Sequence, residues 1–499
     1  MSTAKKILSN TAIQVAGRAI MAVTSIVILK AISGFLSVEG YGMYKGVYDF
    51  LAFFGIIADL GLFTIAVREM GRGDRDKNFI ASNIFGMRMV LAISAMALAT
   101  VAAFAIPSYA GTPIPTGVAV ASMAVFLAIM HGTVSSVLQV ELKMQFATIG
   151  LVGGKLISLG WMLAVIFYFF AGDPSDTAFY YLLLAGVVGN LFAFAFTFYY
   201  ALKYATLRPK FNAEYWKEIM VTSVPYGLAL ILNMVYFRID SIMILWMEGP
   251  RENGFYGPAV SILEILSVVP VYFMNSVLPT LSKAVKESKA KVSRILQLSF
   301  DFLFLLGAPM AVGLFLLAYP IIFLITQPEF LSRLDEGVYG SDIALQILVL
   351  AMFFAFLNSV FTYAMVAVNK QNHLLWINGT AAVGNVIANF FVIPLYGFRG
   401  AALTSVITEG FILVVAFFVA RRFVQLKFSW GRLGKATLAT ALMGFVVWKL
   451  KEPSFYWLGM ENLNVIFLSL VGALVYGGVL LITGTIPQEF VNKAKKRLG

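Results

Sequence analysis

The chain has 499 residues, 60% of them hydrophobic and 12% charged, with no cysteine and a formal net charge of +12. The missing thiols exclude disulfides, thiolate metal sites and a cysteine nucleophile. So large an apolar share excludes an ordinary soluble domain, and the basic excess is spread over short loops that face anionic lipid headgroups, which argues against nucleic-acid binding.

Taken in chain order, fourteen apolar segments are predicted to span a membrane. Seven lie at about 11–34, 44–67, 79–106, 116–139, 146–171, 178–202 and 219–247; seven more lie at about 255–280, 298–326, 341–368, 373–396, 400–420, 434–450 and 463–483. A helix needs ~20 apolar residues to cross a ~30 Å hydrocarbon core. The first segment is too long for a signal-peptide core and carries Arg18, so it reads as a retained span. The longest connection, Leu202 to Glu218, has room for a short interfacial helix from Phe211 to Ile219, with Tyr215, Trp216 and Lys217. The largest external loop runs from about Gln327 to Gly340.

Orientation follows from the basic residues. The N-terminus, alternate loops and the tail hold 26 of the 37 Lys and Arg, whereas the opposite loops and their edges hold 6. Positive charge stays on the cytoplasmic side, which places both termini inside, as an even number of spans requires.

A faint duplication organises the chain. Gly42-Met43-Tyr44-Lys45-Gly46 enters span two, and Gly254-Phe255-Tyr256-Gly257-Pro258 enters span eight. Two copies of six spans share one orientation and are related by an axis along the membrane normal. The expected architecture is therefore an all-α polytopic membrane protein with an N-terminal lobe at 1–210, a C-terminal lobe at 211–422, and an extra hairpin with a cytoplasmic tail at 423–499. The two lobes are expected to flank a central cavity.

Five basic residues remain within spans: Arg18, Lys30, Arg88, Lys155 and Arg238. An ionisable group at membrane depth is costly unless it meets a partner or a wet cavity, so each is a candidate substrate-binding residue. Arg18, Arg88 and Lys155 lie at similar depth on three spans of the first half. Lys30 and Arg238 lie near outer ends, where snorkelling, or for Arg238 the nearby Asp240, offers a plainer reading. The structural alternative for the deep cations is pairing with Asp59 or with helix carbonyls. Among the acids, Asp59, Glu264, Glu409 and Asp240 are candidate ion-coupling residues, since a carboxyl in a low-dielectric site is poised for proton uptake. Asp49 and Asp301 lie near span ends and read as ordinary interfacial residues. His131 reads as structural, and Asn83, Asn190, Asn358, Asn378, Asn385 and Asn389 as interhelical hydrogen-bonding or cavity-lining amides.

The stretch from Asn385 through Asn389, Pro394, Gly397, Gly400, Ala401 and Ala402 resembles the second lobe of polysaccharide flippases in the multidrug/oligosaccharidyl-lipid/polysaccharide exporter superfamily. Pro225 through Arg238-Ile239-Asp240, and Gly40 to Tyr44 followed by Asp59-Leu60-Gly61-Leu62, resemble its lobe starts. That resemblance implies alternating access and export of a lipid-linked oligosaccharide whose pyrophosphate is held by cavity cations, among which Arg18 fits the family's basic first helix.

The expected function is thus a flippase that moves a polyprenyl-pyrophosphate-linked oligosaccharide to the outer leaflet of the plasma membrane, with H+ or Na+ coupling or none. No catalytic residue, cofactor, metal or nucleic-acid partner is expected. A cation-coupled multidrug exporter of the same architecture is the alternative, but it should carry an acidic cavity, whereas the first half is net basic. A membrane enzyme would need a sizeable loop bearing catalytic groups, and no Walker motif is present.

Overall fold

A computed structural model describes residues 3–458 and 461–485. The tail cations Lys493, Lys495, Lys496 and Arg497 lie outside the described residues. Among the described residues the chain is helical throughout, with no β-strand beyond an isolated bridge between Arg333 and Val338.

The first unit of the chain, Met1–Gly254, contains α1 (Thr3–Phe35), α2 (Val38–Asp59), α3 (Leu62–Arg72), α4 (Lys77–Ala105), α5 (Ile114–Val140), α6 (Met144–Ala164), α7 (Asp176–Ala201) and α8 (Ala213–Met247). Helix α9 (Pro250–Glu287) begins there and continues into the second unit, Phe255–Gly499. That unit continues with α10 (Lys289–Leu316), α11 (Ala318–Ile325), α12 (Ser341–Ala367), α13 (Gln371–Tyr396), α14 (Phe398–Ala420), α15 (Trp430–Leu458) and α16 (Glu461–Ile482).

Helix starts follow the local chemistry. Ser37, Asp76, Ser175, Asn212 and Ser288 each accept a hydrogen bond from a backbone N–H of the following turn, which satisfies a donor that the helix itself leaves open. Thirteen helices among the described residues are long and apolar enough to cross a membrane. They match the expected segments, and the remaining one, 219–247, falls on the 35-residue α8. Large apolar side chains such as Phe167, Trp376 and Leu474 point outward. A contiguous apolar exterior suits lipid and not water.

Three expectations change. Span two is not one helix: Leu60 and Gly61 both take left-handed backbone angles, φ 42° and 73°, and split it into α2 and α3. Ser223 on α8 donates to the Leu60 carbonyl at 2.7 Å, and Gly227 leaves room for the Leu60 side chain. The stretch Phe211–Ile219 does not form a separate interfacial helix, because the cap at Asn212 starts α8 directly and the helix runs on to Met247. Span nine bends at Leu317 into α10 and α11.

Within the first unit, α5, α6 and α7 form the tightest packing, with glycines at the seam. A Cβ at Gly154 on α6 would strike the Gly189 carbonyl on α7, so the two backbones touch as only small residues allow. Helix α8 packs on α2, α3 and α4 of this unit. In the second unit the C-terminal hairpin α15–α16 packs on α10 and α11 through Leu317, Met443, Val447 and Leu468. Tyr476 donates to the Leu305 carbonyl at 2.7 Å.

Candidate functional site

Lys155 lines a cavity of about 310 Å3 inside the first unit, walled by α1, α2, α6 and α7. Met21, Tyr44, Tyr48, Ser158 and Asn190 face the same space. Lys155 lies 11 residues past Met144 and Asn190 lies 11 before Ala201. At ~1.5 Å per residue both sit about 16 Å from their helix ends, halfway through a ~30 Å core. Three of the polar side chains are anchored: the Tyr48 hydroxyl donates to the Leu183 carbonyl at 3.2 Å, Ser158 to the Ala185 carbonyl at 2.6 Å, and the Asn190 amide to the Gly186 carbonyl at 2.9 Å. The Lys155 ammonium pairs with no carboxylate among the described residues. An ammonium so placed is costly at membrane depth, which keeps Lys155 as a candidate binding residue.

Arg88 is placed differently. It is 3% exposed, and its guanidinium pairs with Asp59 at the end of α2, which is the structural alternative for this residue. The broken backbone at Leu60 ends α2 there and sets Asp59 at the break. Nε and Nη1 of Arg88 are buried without a hydrogen-bond partner. Arg88 faces Gly132 on α5 and is not among the lining of the Lys155 cavity. Arg18 and Arg88 are not in the lining of the Lys155 cavity: Arg18 is exposed on α1, Arg88 is held by Asp59, and Lys155 faces the pocket. Lys30 is half-buried near the end of α1.

Arg238 has a carboxylate partner far from it in the chain. It reaches Asp49 on α2 at 2.5 Å, and Lys45 reaches the same carboxylate at 2.9 Å. Asp49 is thus not an ordinary interfacial residue: it is 1% exposed and also accepts from Ser241 at 2.7 Å. Asn253 extends the cluster by donating to the Gly42 carbonyl at 2.9 Å. Asp301 departs from its interfacial reading in the same way: it is buried on α10 and holds Ser429 at 2.8 Å and Arg432 at 2.9 Å, which fixes the start of the C-terminal hairpin.

The candidate coupling acids are dispersed. Asp59 is paired with Arg88, Asp240 is buried on α8, Glu264 is exposed on α9, and Glu409 is buried on α14. Beside Glu409 runs a buried amide and hydroxyl ladder between α13 and α14. Asn389 donates to Asn385 at 3.2 Å, Asn385 to Thr408 at 3.4 Å, and Thr404 to Asn389. Sequence reading named these asparagines and Asn190, but it missed Tyr44 and Tyr48, whose i,i+4 spacing puts both on one face of α2. The second unit also holds an aromatic groove of about 590 Å3 lined by Phe300, Phe361, Phe417, Phe428 and Trp430.

An all-helical, many-span bundle whose first unit encloses a polar cavity with a lysine on its wall is the kind of fold that membrane transporters use. The comparisons agree. The model of the polysaccharide biosynthesis protein family matches residues 3–285, and the chain belongs to that family. The MatE family model matches residues 225–391. The capsular polysaccharide biosynthesis protein CapF of Staphylococcus aureus is 25% identical over 249 residues, which cover 48% of this chain and 60% of that relative's length. Among solved structures, the lipid II flippase MurJ in an inward closed conformation has a TM-score of 0.70 at 14% identity, covering 96% of this chain and 98% of its own. An inward-facing multidrug resistance MATE family transporter of the MOP superfamily has a TM-score of 0.64 at 14% identity, covering 85% and 98%. The fold is that of this superfamily, as the sequence resemblance implied.

Proposed function

We propose that this protein is a flippase that carries a polyprenyl-pyrophosphate-linked oligosaccharide from the cytoplasmic to the outer leaflet of the plasma membrane by alternating access. The observation that carries the reading is the polysaccharide biosynthesis family match over residues 3–285, the part of the chain that holds all five intramembrane cations. The task is to move a polar headgroup across ~30 Å of hydrocarbon, and cations at membrane depth supply the charge that an anionic headgroup needs on leaving water.

In this reading Arg18, Lys30 and Lys155 contact the anionic headgroup; Arg88 is neutralised by Asp59, while Arg238 and Lys45 share Asp49 and leave one net positive charge there. A proton or Na+ enters through Asp59, Asp240, Glu264 or Glu409. Both termini lie in the cytoplasm, on the strength of the loop charge asymmetry. The lobes are assigned by the sequence repeat, 1–210 and 211–422 with the hairpin at 423–499, so α8 opens the second copy while packing on the first unit. The protein acts as a carrier and not as an enzyme. The MatE match over 225–391 supports a shared transport plan, but the net basic first half disfavours cationic drugs as cargo.

The test is translocation of a fluorescent polyprenyl-pyrophosphate oligosaccharide in proteoliposomes. Transport by the wild type, its loss in Arg18→Ala and its slowing in Lys155→Ala are expected. Absence of transport in the wild type, together with efflux of cationic dyes, would sink the reading in favour of drug export.

A further inference from the structure

We infer that the Lys155 cavity is a sugar subsite that selects for one acidic sugar, a hexuronate, in the transported oligosaccharide. The inference rests on the flippase reading and narrows it to a class of cargo.

Three features of the pocket lead there. The first is charge. One ammonium faces the cavity and pairs with no carboxylate among the described residues, so the site balances about one negative charge. A carboxylate carries one charge at neutral pH, whereas phosphate esters carry about 1.5 to 2 and a pyrophosphate needs further cations. Arg88 is not in the lining and already neutralises Asp59.

The second is size and surface. About 310 Å3 is at the lower end of the ~300–1,000 Å3 range of ligand pockets, room for a sugar residue and not for a whole oligosaccharide. The rings of Tyr44 and Tyr48, 5.2 Å apart and edge to face, give the apolar C–H faces of a pyranose a surface to pack against. Asn190 and Ser158 add polar atoms for sugar hydroxyls. An inorganic anion would use Lys155 and leave the aromatic wall without purpose.

The third is rigidity. The hydrogen bonds of Tyr48, Ser158 and Asn190 to backbone carbonyls fix their positions before any ligand arrives. The glycine seam between α6 and α7 holds the two helices that carry Lys155 and Asn190 together. A preorganised wall discriminates between a carboxylate and a hydroxymethyl group at one ring position, because the neutral sugar leaves the half-buried ammonium at membrane depth without its counter-charge.

The experiment uses the full-length protein in proteoliposomes and two fluorescent polyprenyl-pyrophosphate disaccharides that differ only at C6 of the terminal sugar, glucuronate against glucose. The wild type is expected to translocate the glucuronate probe faster by about tenfold, the worth of one charge-assisted hydrogen bond. That ratio falls to near one in Lys155→Met and Lys155→Gln, and Lys155→Arg keeps it. Reading a ratio within each variant separates selectivity from yield, and the wild-type ratio stands even if a variant fails to fold. Equal transport of both probes by the wild type, or a ratio that survives Lys155→Met, overturns the subsite and leaves the flippase standing. Transport of neither probe overturns both.

Discussion

Asp49 ties α2 to α8 through charges that cannot be removed singly without cost. Two cations and a serine converge on one carboxylate that is 1% exposed, so its removal takes a buried counter-charge from both Lys45 and Arg238. Asp49→Asn is expected to lower stability by about 3 kcal/mol, the low end for a broken buried pair because both cations keep some water. Thermal unfolding in detergent measures it, and Asp49→Asn combined with Arg238→Gln should recover part of the loss. Arg88 and Asp59 obey the same logic. Arg88→Met alone leaves a carboxylate at membrane depth, whereas the Arg88→Met, Asp59→Leu pair removes both charges, so the double variant should be the more stable. A double variant that melts below either single one would show that the pair does more than cancel its own charge. The i,i+4 spacing of Lys45 and Asp49 is local to one helix, although Asp49 reads from the chain as an ordinary interfacial residue. The pairing of Arg238 was not legible, because its partner lies 189 residues away and only folding joins them.

At the scale of helices, glycine fixes which faces meet. A Cβ at Gly42 would strike the Pro250 carbonyl, and one at Gly254 the Val38 carbonyl, so the start of α9 rests on α2 without side chains between them. Both glycines stand first in the two copies of the repeated motif, which gives that faint sequence match a packing reason. Gly42→Val should abolish the folded fraction seen by size-exclusion chromatography. Gly379 and Gly384 on α13 have open space around their Cβ positions. Gly384→Ala should therefore be neutral or stabilising by up to about 1 kcal/mol through helix propensity. Equal damage from Gly42→Val and Gly384→Ala in that assay would remove the packing argument. The α2–α3 break was written in Asp59-Leu60-Gly61-Leu62, but hydropathy alone runs through it, since a single turn of left-handed backbone leaves the apolar pattern intact.

For the whole molecule, the absence of cysteine makes membrane topology directly measurable. Ser288→Cys lies in a basic loop and Asp173→Cys in the loop after α6. An impermeant thiol reagent added outside intact cells should label Asp173→Cys alone, with Ser288→Cys labelled only after permeabilisation. The reverse pattern would invert the proposed orientation and with it the direction of transport. Mass action supplies a second expectation: collapse of the proton and Na+ gradients slows net translocation if Asp59, Asp240, Glu264 or Glu409 couples it, and Glu409→Gln should then lose the gradient response while still exchanging probe between leaflets.

The sequence by itself determined the helical class, the order of the thirteen spans found among the described residues, the charge asymmetry of the loops and the short list of intramembrane charges. These depend on local quantities, apolar length and the cost of a charge in hydrocarbon, that a helix expresses wherever it packs. The tertiary structure decided which of those charges are neutralised and which face a cavity. Arg88 and Lys155 look alike along the chain, yet one meets Asp59 at a broken helix and the other meets two tyrosines and an asparagine across a pocket. Partner and cavity are properties of side chains brought together from distant helices, and at membrane depth they separate a structural charge from one left for a ligand.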